Sequence, residues 1–218
     1  MSLAIPSLAP ATLTALVDAL VERGWYLGEG VIDAGLCRAL HDELEERVAR
    51  QTMHTAGIGR GEDHSLRRDI RGDTIHWLDR ATLPQRHYLG AMAELQQELN
   101  RALYLGLFEF EAHFAHYGPG TFYKKHRDSF RGRANRVVST VGYLSPDWGP
   151  ADGGEMVLYD PEDESREVAR VRPEAGNFAC FLADRVPHEV LPTARPRASI
   201  AGWFRRNASL NGVIDPAY

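Results

Sequence analysis

Only two cysteines occur in 218 residues, Cys37 and Cys180, and they lie far apart. That spacing excludes a close Cys pair for zinc or redox work, and reduced thiols in a cytoplasm are the expectation. No apolar run approaches the roughly 20 residues that a membrane span needs. The segment Met1-Ser2-Leu3-Ala4-Ile5-Pro6 has no basic region followed by a long apolar stretch, so no signal peptide is expected. An excess of basic charge is also missing. The 25 Lys and Arg face 30 Asp and Glu, for a net charge of −5, which argues against a nucleic-acid partner. Repeats, linkers and low-complexity segments are absent as well. One domain over residues 1–218 is expected, because β barrels and sandwiches of this length are often single. The abundance of Ala, Arg, Gly and Leu points to a bacterial source.

What is present falls into two halves. In residues 1–108, Leu13, Leu16, Val17, Leu20 and Val21 recur at helical spacing and Gly24 follows as a stop. Trp25 to Val31 predicts a short strand. Asp33 can cap a second helix with Leu36, Leu40, Leu44 and Val48 on one stripe. Thr74 to Leu78 returns to strand, and Pro84 opens a third helix with Tyr88, Met92, Leu95 and Leu99 on its apolar face. Between them, Thr55 to Asp73 mixes four glycines with charges and has no periodicity. Loops this long in a compact domain are usually functional or disordered, and residues 57–73 are expected to form a lid over a substrate.

From Glu109 the chain is nearly all short strands: 137–144, 155–159, 168–171, 178–182, 188–191 and 197–204. Helices followed by evenly spaced strands predict a mainly β fold, a jelly roll buttressed by N-terminal α-helices, with its core in residues 109–205.

The chemistry gathers on a few of these strands. His126-Arg127-Asp128 ends an extended piece, and strand parity sends His126 and Asp128 to one side. His188 opens a late strand. On 197–204, parity places Arg197, Ser199, Ala201 and Trp203 on one face and Ile200 and Phe204 on the other. A charged residue on an inward face is costly without a partner, and small neighbours leave room for an anion. Arg195 lies between Ala194 and Pro196, before the strand, and ranks below Arg197. Tyr143 shares the inward parity with Val141 and Ser139. His113 and His116, three apart on a strand, fall on opposite faces and read as structural, while His41, His54, His64, His76 and His87 read as surface or satisfied polar residues. Cys180 reads as a small core residue. Lys124, Lys125, Arg127, Arg131, Arg133 and Arg136 form a basic patch that reads as a solvated loop or as steering for an anion.

An ordered series now stands out: Asp69-Ile70-Arg71-Gly72-Asp73, Tyr117, His126-Arg127-Asp128, Tyr143-Leu144, Gly153-Gly154-Glu155, Pro187-His188-Glu189-Val190, and Arg197 to Phe204. In this order and spacing the chain resembles the iron(II) and 2-oxoglutarate dependent oxygenases. The similarity is to the prolyl hydroxylase branch, which includes the animal oxygen-sensing enzymes and their bacterial relatives, and it runs from Asp69 to Phe204.

The resemblance implies a double-stranded β-helix and a site carried over residue by residue. His126, Asp128 and His188 correspond to the ligands of Fe(II), a two-His, one-carboxylate face that leaves the opposite face open. Arg197 corresponds to the partner of the distal carboxylate of 2-oxoglutarate, Tyr143 to a donor to that carboxylate, and Tyr117 to a pocket wall. Arg suits this task through its permanent charge and fixed fork of donors. Arg71, Asp73 and Trp203 correspond to the substrate side. The implied reaction uses O2 and hydroxylates a prolyl residue of a protein, with oxidative decarboxylation of 2-oxoglutarate to succinate and CO2. Ascorbate would serve as a reductant. Elongation factor Tu is one candidate substrate. The alternatives are the same chemistry on a free amino acid or another side chain, and a jelly-roll sensor that binds metal without turnover. Ala201 stands where the animal enzymes have a threonine, so their oxygen-sensing kinetics do not transfer.

Overall fold

Three helices form where the apolar stripes predict them. In the computed structural model, which describes residues 8–57, 67, 69–129 and 135–206 and the backbone of 209–210 and 213–214, they are α1 (Pro10–Glu22), α2 (Ala34–Ala49) and α3 (Leu83–Leu103). Leu16 and Leu20 of α1 are buried, but Val21 is 67% exposed. It lies one residue, or about 100°, past the buried stripe at the end of the helix. Asp33 caps α2 by accepting from Leu36 N at 2.9 Å. Thr82 caps α3 through Gln85 N.

The strands are β1 (Trp25–Gly28), β2 (His54–Thr55), β3 (Thr74–Trp77), β4 (Glu109–Tyr117), β5 (Tyr123–His126), β6 (Arg136–Tyr143), β7 (Met156–Tyr159), β8 (Glu167–Val171), β9 (Phe178–Leu182), β10 (His188–Val190) and β11 (Arg197–Arg205), with a hairpin of β12 (Ser209–Leu210) and β13 (Val213–Ile214). Expected through Val31, β1 instead ends at Gly28, because Gly30 turns the chain at φ +61°. A seven-stranded sheet runs β1-β9-β6-β11-β4-β3-β2 and faces a four-stranded sheet, β5-β10-β7-β8. The pairings between these strands are antiparallel, and one isolated bridge, Ser145 with Glu174, is parallel. The expected mainly β jelly roll with supporting helices is what forms.

Each long strand of the larger sheet has two different faces. The even residues of β11, Ala198, Ile200 and Phe204, join Phe114, Val138 and Cys180 and the helical residues Leu40, Leu44, Tyr88, Leu95 and Leu99 in the main apolar core. The odd residues face the smaller sheet, where apolar packing is thinner: one group around Tyr143, Met156, Leu158 and Phe181, another of Ala115, Tyr117 and Val190. Helices thus cover one face and leave the barrel interior for polar work.

A carboxylate joins the helices to the sheet edge. Glu43 of α2 accepts from Arg47 Nη2 at 2.8 Å, Thr82 Oγ1 at 2.6 Å and Gln85 Nε2 at 2.6 Å. Gln85, fully buried, accepts in turn from Asp79 N and Arg80 N. Arg47 also contacts His76 Nε2 of β3 at 2.6 Å. Removing Glu43 leaves a buried amide and a cation short of their acceptor. Glu43→Ala is expected to destabilise the fold by about 3 kcal/mol, read as a fall in Tm of roughly 10 °C in thermal unfolding.

The expected lid over 57–73 falls partly on 58–66 and 68, outside the described residues. Its two described ends are joined: Thr55 pairs with Thr74, and Ala56 N donates to Asp73 O at 3.1 Å. Residues 70–72 also run along β5, with Arg71 bridged to Tyr123, Lys124 N bonded to Ile70 O and Gly72 N to Phe122 O. Gly72 has no room for a side chain, since a Cβ there would lie 2.8 Å from Thr121 Cβ.

Candidate active site

Strands β5 and β10 are neighbours, and their register sets His126 opposite His188. The ring centroids are 4.3 Å apart. Asp128 arrives differently from its expected place in a strand. β5 stops at His126, and Asp128 sits in the bend beyond, where Ser129 N donates to Ala183 O at 3.1 Å. The bend still delivers the carboxylate: one donor atom from each of His126, Asp128 and His188 lies within 4.8 Å of the others. His126 Nδ1 is 2.8 Å from Lys124 O and His188 Nδ1 is 3.2 Å from Val186 O. A backbone carbonyl can only accept, so each Nδ1 carries the proton and each Nε2 lone pair points at the Asp128 side. Two neutral imidazoles and a carboxylate are a donor set suited to non-haem Fe(II).

The electrostatics agree with that state. Burial pushes His188 down to about 4, helped by His126 and opposed by Asp128. Burial alone would raise the Asp128 carboxyl, but positive charge on His188 and His126 and the Ser139 hydroxyl reverse this and hold it well below the usual carboxylate range; with both imidazoles neutral, a bound cation would take over that part. Ser139 Oγ donates to Asp128 Oδ2 at 2.6 Å and fixes the orientation of the other oxygen. Loss of such an orienting group typically weakens metal binding by about 10–100-fold. Ser139→Ala is expected to weaken ferrous binding within that range, measured by anaerobic titration, with little change in Tm.

Across the barrel, Arg197 begins β11 opposite Tyr117. Its side chain is 1% exposed. Nε donates to Gly154 O at 2.9 Å and Nη1 to Ser199 Oγ at 3.1 Å. The guanidinium lies 4.8 Å from the Tyr117 ring and 5.3 Å from the Tyr143 ring. Among the described residues no carboxylate pairs with it. Close by, the buried Tyr143 hydroxyl finds no acceptor among the described residues. A buried cation without an acid and a buried hydroxyl without an acceptor fit one incoming carboxylate. The Gly153-Gly154 pair builds this corner. Both adopt φ values near +65°, at +64° and +69°, and a Cβ on Gly154 would press on Thr193 and on Arg197 Cδ.

Arg195 differs in kind. Its Nη2 donates to Pro146 O at 2.9 Å, its guanidinium stacks on Trp148, and it approaches Asp152 at the surface.

The three residues expected on the substrate side, Arg71, Asp73 and Trp203, lie along the same interior. Arg71 and Asp73 pair with each other through two bonds of 2.6 and 2.8 Å, with Asp73 fully buried. Arg71 also lies over Tyr123, whose ring stacks on His126 at 3.6 Å. Trp203 is buried on the inward face and carries Arg136 over its ring at 3.6 Å. Of the basic patch, Arg127 is paired with Glu164 at 2.7 Å and Lys125 sits on the Tyr159 ring. These two serve the local structure, and Arg131 and Arg133 lie outside the described residues.

Sequence reasoning passed over Ser139 as a partner of Asp128, Tyr123 as the ring behind His126, and a buried ion network of Glu111 with Arg136 at 2.7 Å and Arg205 at 3.1 Å. It also set His113 aside, although His113 faces the interior. The odd-residue parity of β4 was the signal for Glu111 and His113.

Residues 112–205 match the model of the 2OG-Fe(II) oxygenase superfamily. A hypoxia-inducible factor prolyl hydroxylase of Caenorhabditis elegans is 27% identical over 201 residues, 87% of this chain; the chain spans only 27% of that relative's length. The crystal structure of a Pseudomonas putida prolyl-4-hydroxylase is 41% identical, with a TM-score of 0.82 over 89% of this chain and 100% of that one. A Trichoplax adhaerens prolyl hydroxylase, solved with a peptide fragment of the hypoxia-inducible factor oxygen degradation domain, shares the fold at 22% identity and a TM-score of 0.79, covering 88% of each chain. With 41% identity across the whole of the Pseudomonas chain, this protein belongs to the 2OG-Fe(II) oxygenase superfamily and groups with its prolyl hydroxylases.

Proposed function

We propose that this protein hydroxylates a prolyl residue of a protein substrate, with His126, Asp128 and His188 holding Fe(II) and Arg197, Tyr143 and Tyr117 holding 2-oxoglutarate. One observation carries the cosubstrate assignment: among the described residues, a fully enclosed Arg197 without an acid lies beside a Tyr143 hydroxyl without an acceptor. When bound, iron(II) supplies the activation of O2 and the oxidative decarboxylation of 2-oxoglutarate to succinate and CO2. The chain's residues do the placing. Lys124 O and Val186 O keep the two imidazoles in the ligating tautomer, and Ser139 orients Asp128. Arg197 and Tyr143 anchor the far end of the cosubstrate. Phe181, 4.6 Å from the His188 ring, helps to keep bulk water from that side.

The prolyl specificity is supported by the prolyl-4-hydroxylase of Pseudomonas putida. Elongation factor Tu is the first substrate to try, on the resemblance to bacterial relatives. A bacterial cytoplasm suits the two free, buried thiols, and no helix among the described residues is long and apolar enough to cross a membrane. Ascorbate belongs to this reading as a reductant that keeps iron ferrous. Arg71, Asp73 and Trp203 form the substrate side, the first two by supporting Tyr123 behind His126.

The test is succinate release with and without proline-containing peptides and elongation factor Tu, with mass spectrometry of each for a gain of one oxygen. Oxygen on proline, matched by succinate, supports the reading. Oxygen on another residue or on a free amino acid moves the chemistry to another substrate, and iron binding without succinate leaves a metal-binding sensor.

A further inference from the structure

We infer that His113 and Trp203 receive the backbone of the substrate beside its target proline, His113 Nε2 accepting a peptide N–H and Trp203 Nε1–H donating to a carbonyl. This rests on the prolyl reading above and names two recognition atoms within it.

Position comes first. Trp203 on β11 pairs in register with Ser139 on β6, the residue that holds Asp128 Oδ2. Side chains directly opposite on one face stand about 5 Å apart at Cβ, so Trp203 is one strand removed from the ligand shell. His113 on β4 pairs with Ala201 of β11, two residues from Trp203 on the same face. Its ring lies 5.3 Å from Trp203 and 5.1 Å from Trp77 of β3. Between these large rings the floor is Ala201, which is only half-buried. A small, partly accessible residue between enclosing rings marks a space open to a ligand.

Polarity comes second. Trp203 Nε1–H is buried and no group among the described residues accepts from it. A native donor in that position calls for an explanation. His113 is 1% exposed, and its Nδ1 lies 3.1 Å from Phe114 O. The carbonyl can only accept, so the proton is on Nδ1 and Nε2 is a bare acceptor, to which no described residue donates. Burial holds the imidazole down at about 3, reinforced by Arg71 and partly opposed by Asp73, and it stays neutral at working pH. The interior wall at the level of the metal site thus offers one donor and one acceptor side by side.

Chemistry selects the occupant. A proline has no N–H, so the nearest peptide donor in a protein substrate is the N–H of the following residue. The proline supplies a carbonyl next to it. A free amino acid offers the same donor and acceptor as an ammonium and a carboxylate, whose charges are costly to bury against two neutral groups.

The experiment uses a proline peptide that the wild-type protein hydroxylates, and its depsipeptide analogue, in which an ester oxygen replaces the N–H after proline. His113→Phe keeps a ring against Trp77 and Trp203 and removes Nε2. It is expected to raise the peptide KM about tenfold, the weight of one neutral hydrogen bond at the strong end, with kcat changed less than threefold. Wild type with the depsipeptide should show a rise at least as large, because the ester also makes the proline carbonyl a weaker acceptor for Trp203, and the penalty of the ester should be about tenfold smaller in His113→Phe than in wild type. His113→Gln, which restores an acceptor, should recover part of the loss. Trp203→Phe should raise KM for peptide and depsipeptide alike. Additive effects of His113→Phe and the ester, or equal KM values for wild type and His113→Phe, would overturn the inference and leave prolyl hydroxylation standing. Wild type that hydroxylates no proline peptide overturns both.

Discussion

Replacing Arg197 by Ala is expected to raise the 2-oxoglutarate concentration for half-maximal turnover by about two orders of magnitude. A charge-assisted pair in an enclosed site contributes a few kcal/mol, and about 1.4 kcal/mol is a factor of ten. Arg197 is 1% exposed and its protein partners are a carbonyl and a hydroxyl; a cosubstrate carboxylate would be its first anionic partner. Arg195→Ala provides the contrast. That side chain is 38% exposed and holds the carbonyls of Pro146 and Asp147, so a change below threefold is expected. Tyr143→Phe should fall between, near tenfold, because it removes one neutral donor. The measurement is succinate formation across a 2-oxoglutarate titration with each variant. Equal effects of Arg195→Ala and Arg197→Ala, or the reverse order, would falsify the choice of Arg197.

Asp128→Ala is expected to remove turnover by about a thousandfold or more, well beyond the 10–100-fold range of an orienting neighbour such as Ser139. The difference lies in what each residue presents. Asp128 brings the only carboxylate of the three-residue cluster and sits 3.5 Å from His126 Nε2 and 3.7 Å from His188 Nε2. Without it, two neutral imidazoles face each other and no charge offsets a divalent cation. The same change removes an anion that its surroundings stabilise and leaves the Ser139 hydroxyl without its acceptor, and both effects destabilise the metal-free fold. A fall in Tm is therefore expected beside the loss of iron binding. Ferrous titration followed by single-turnover succinate release reads both quantities. Iron-dependent turnover at the wild-type rate would remove Asp128 from the site.

The elements that the sequence showed clearly were those written in period. Leu36, Leu40 and Leu44 marked α2, Tyr88, Met92, Leu95 and Leu99 marked α3, and the alternation along 197–204 sorted Arg197 from Ile200. Parity worked for Tyr143 for the same reason, whereas Tyr117 was reached only through the family resemblance. It gave Asp128 the right side by the wrong geometry, since a bend does the work expected of a strand. Two-residue β2 carries no pattern at that length. Contacts between distant charges were invisible too. Arg205 and Glu111 are 94 positions apart, and Glu43 meets Gln85 across 42. Nothing local in either residue announces its partner, and a surface charge is the commoner fate of both types. His113 was set aside because two histidines three apart cannot share a face, which is sound for the pair and says nothing of each member alone.

The alternating faces of β11 imply that damage along this strand should come in two phenotypes, residue by residue. Ala198, Ile200, Gly202 and Phe204 press against the helical core, and their variants should fold less often yet turn over normally once folded. Arg197, Ser199, Ala201 and Trp203 look the other way, and their variants should fold normally and fail at the bench. A scan that records abundance and specific activity separately would draw two interleaved combs with a period of two residues. The strand works as a partition: the chain keeps its durability on one side and its chemistry on the other, and evolution can edit the second with little disturbance to the first.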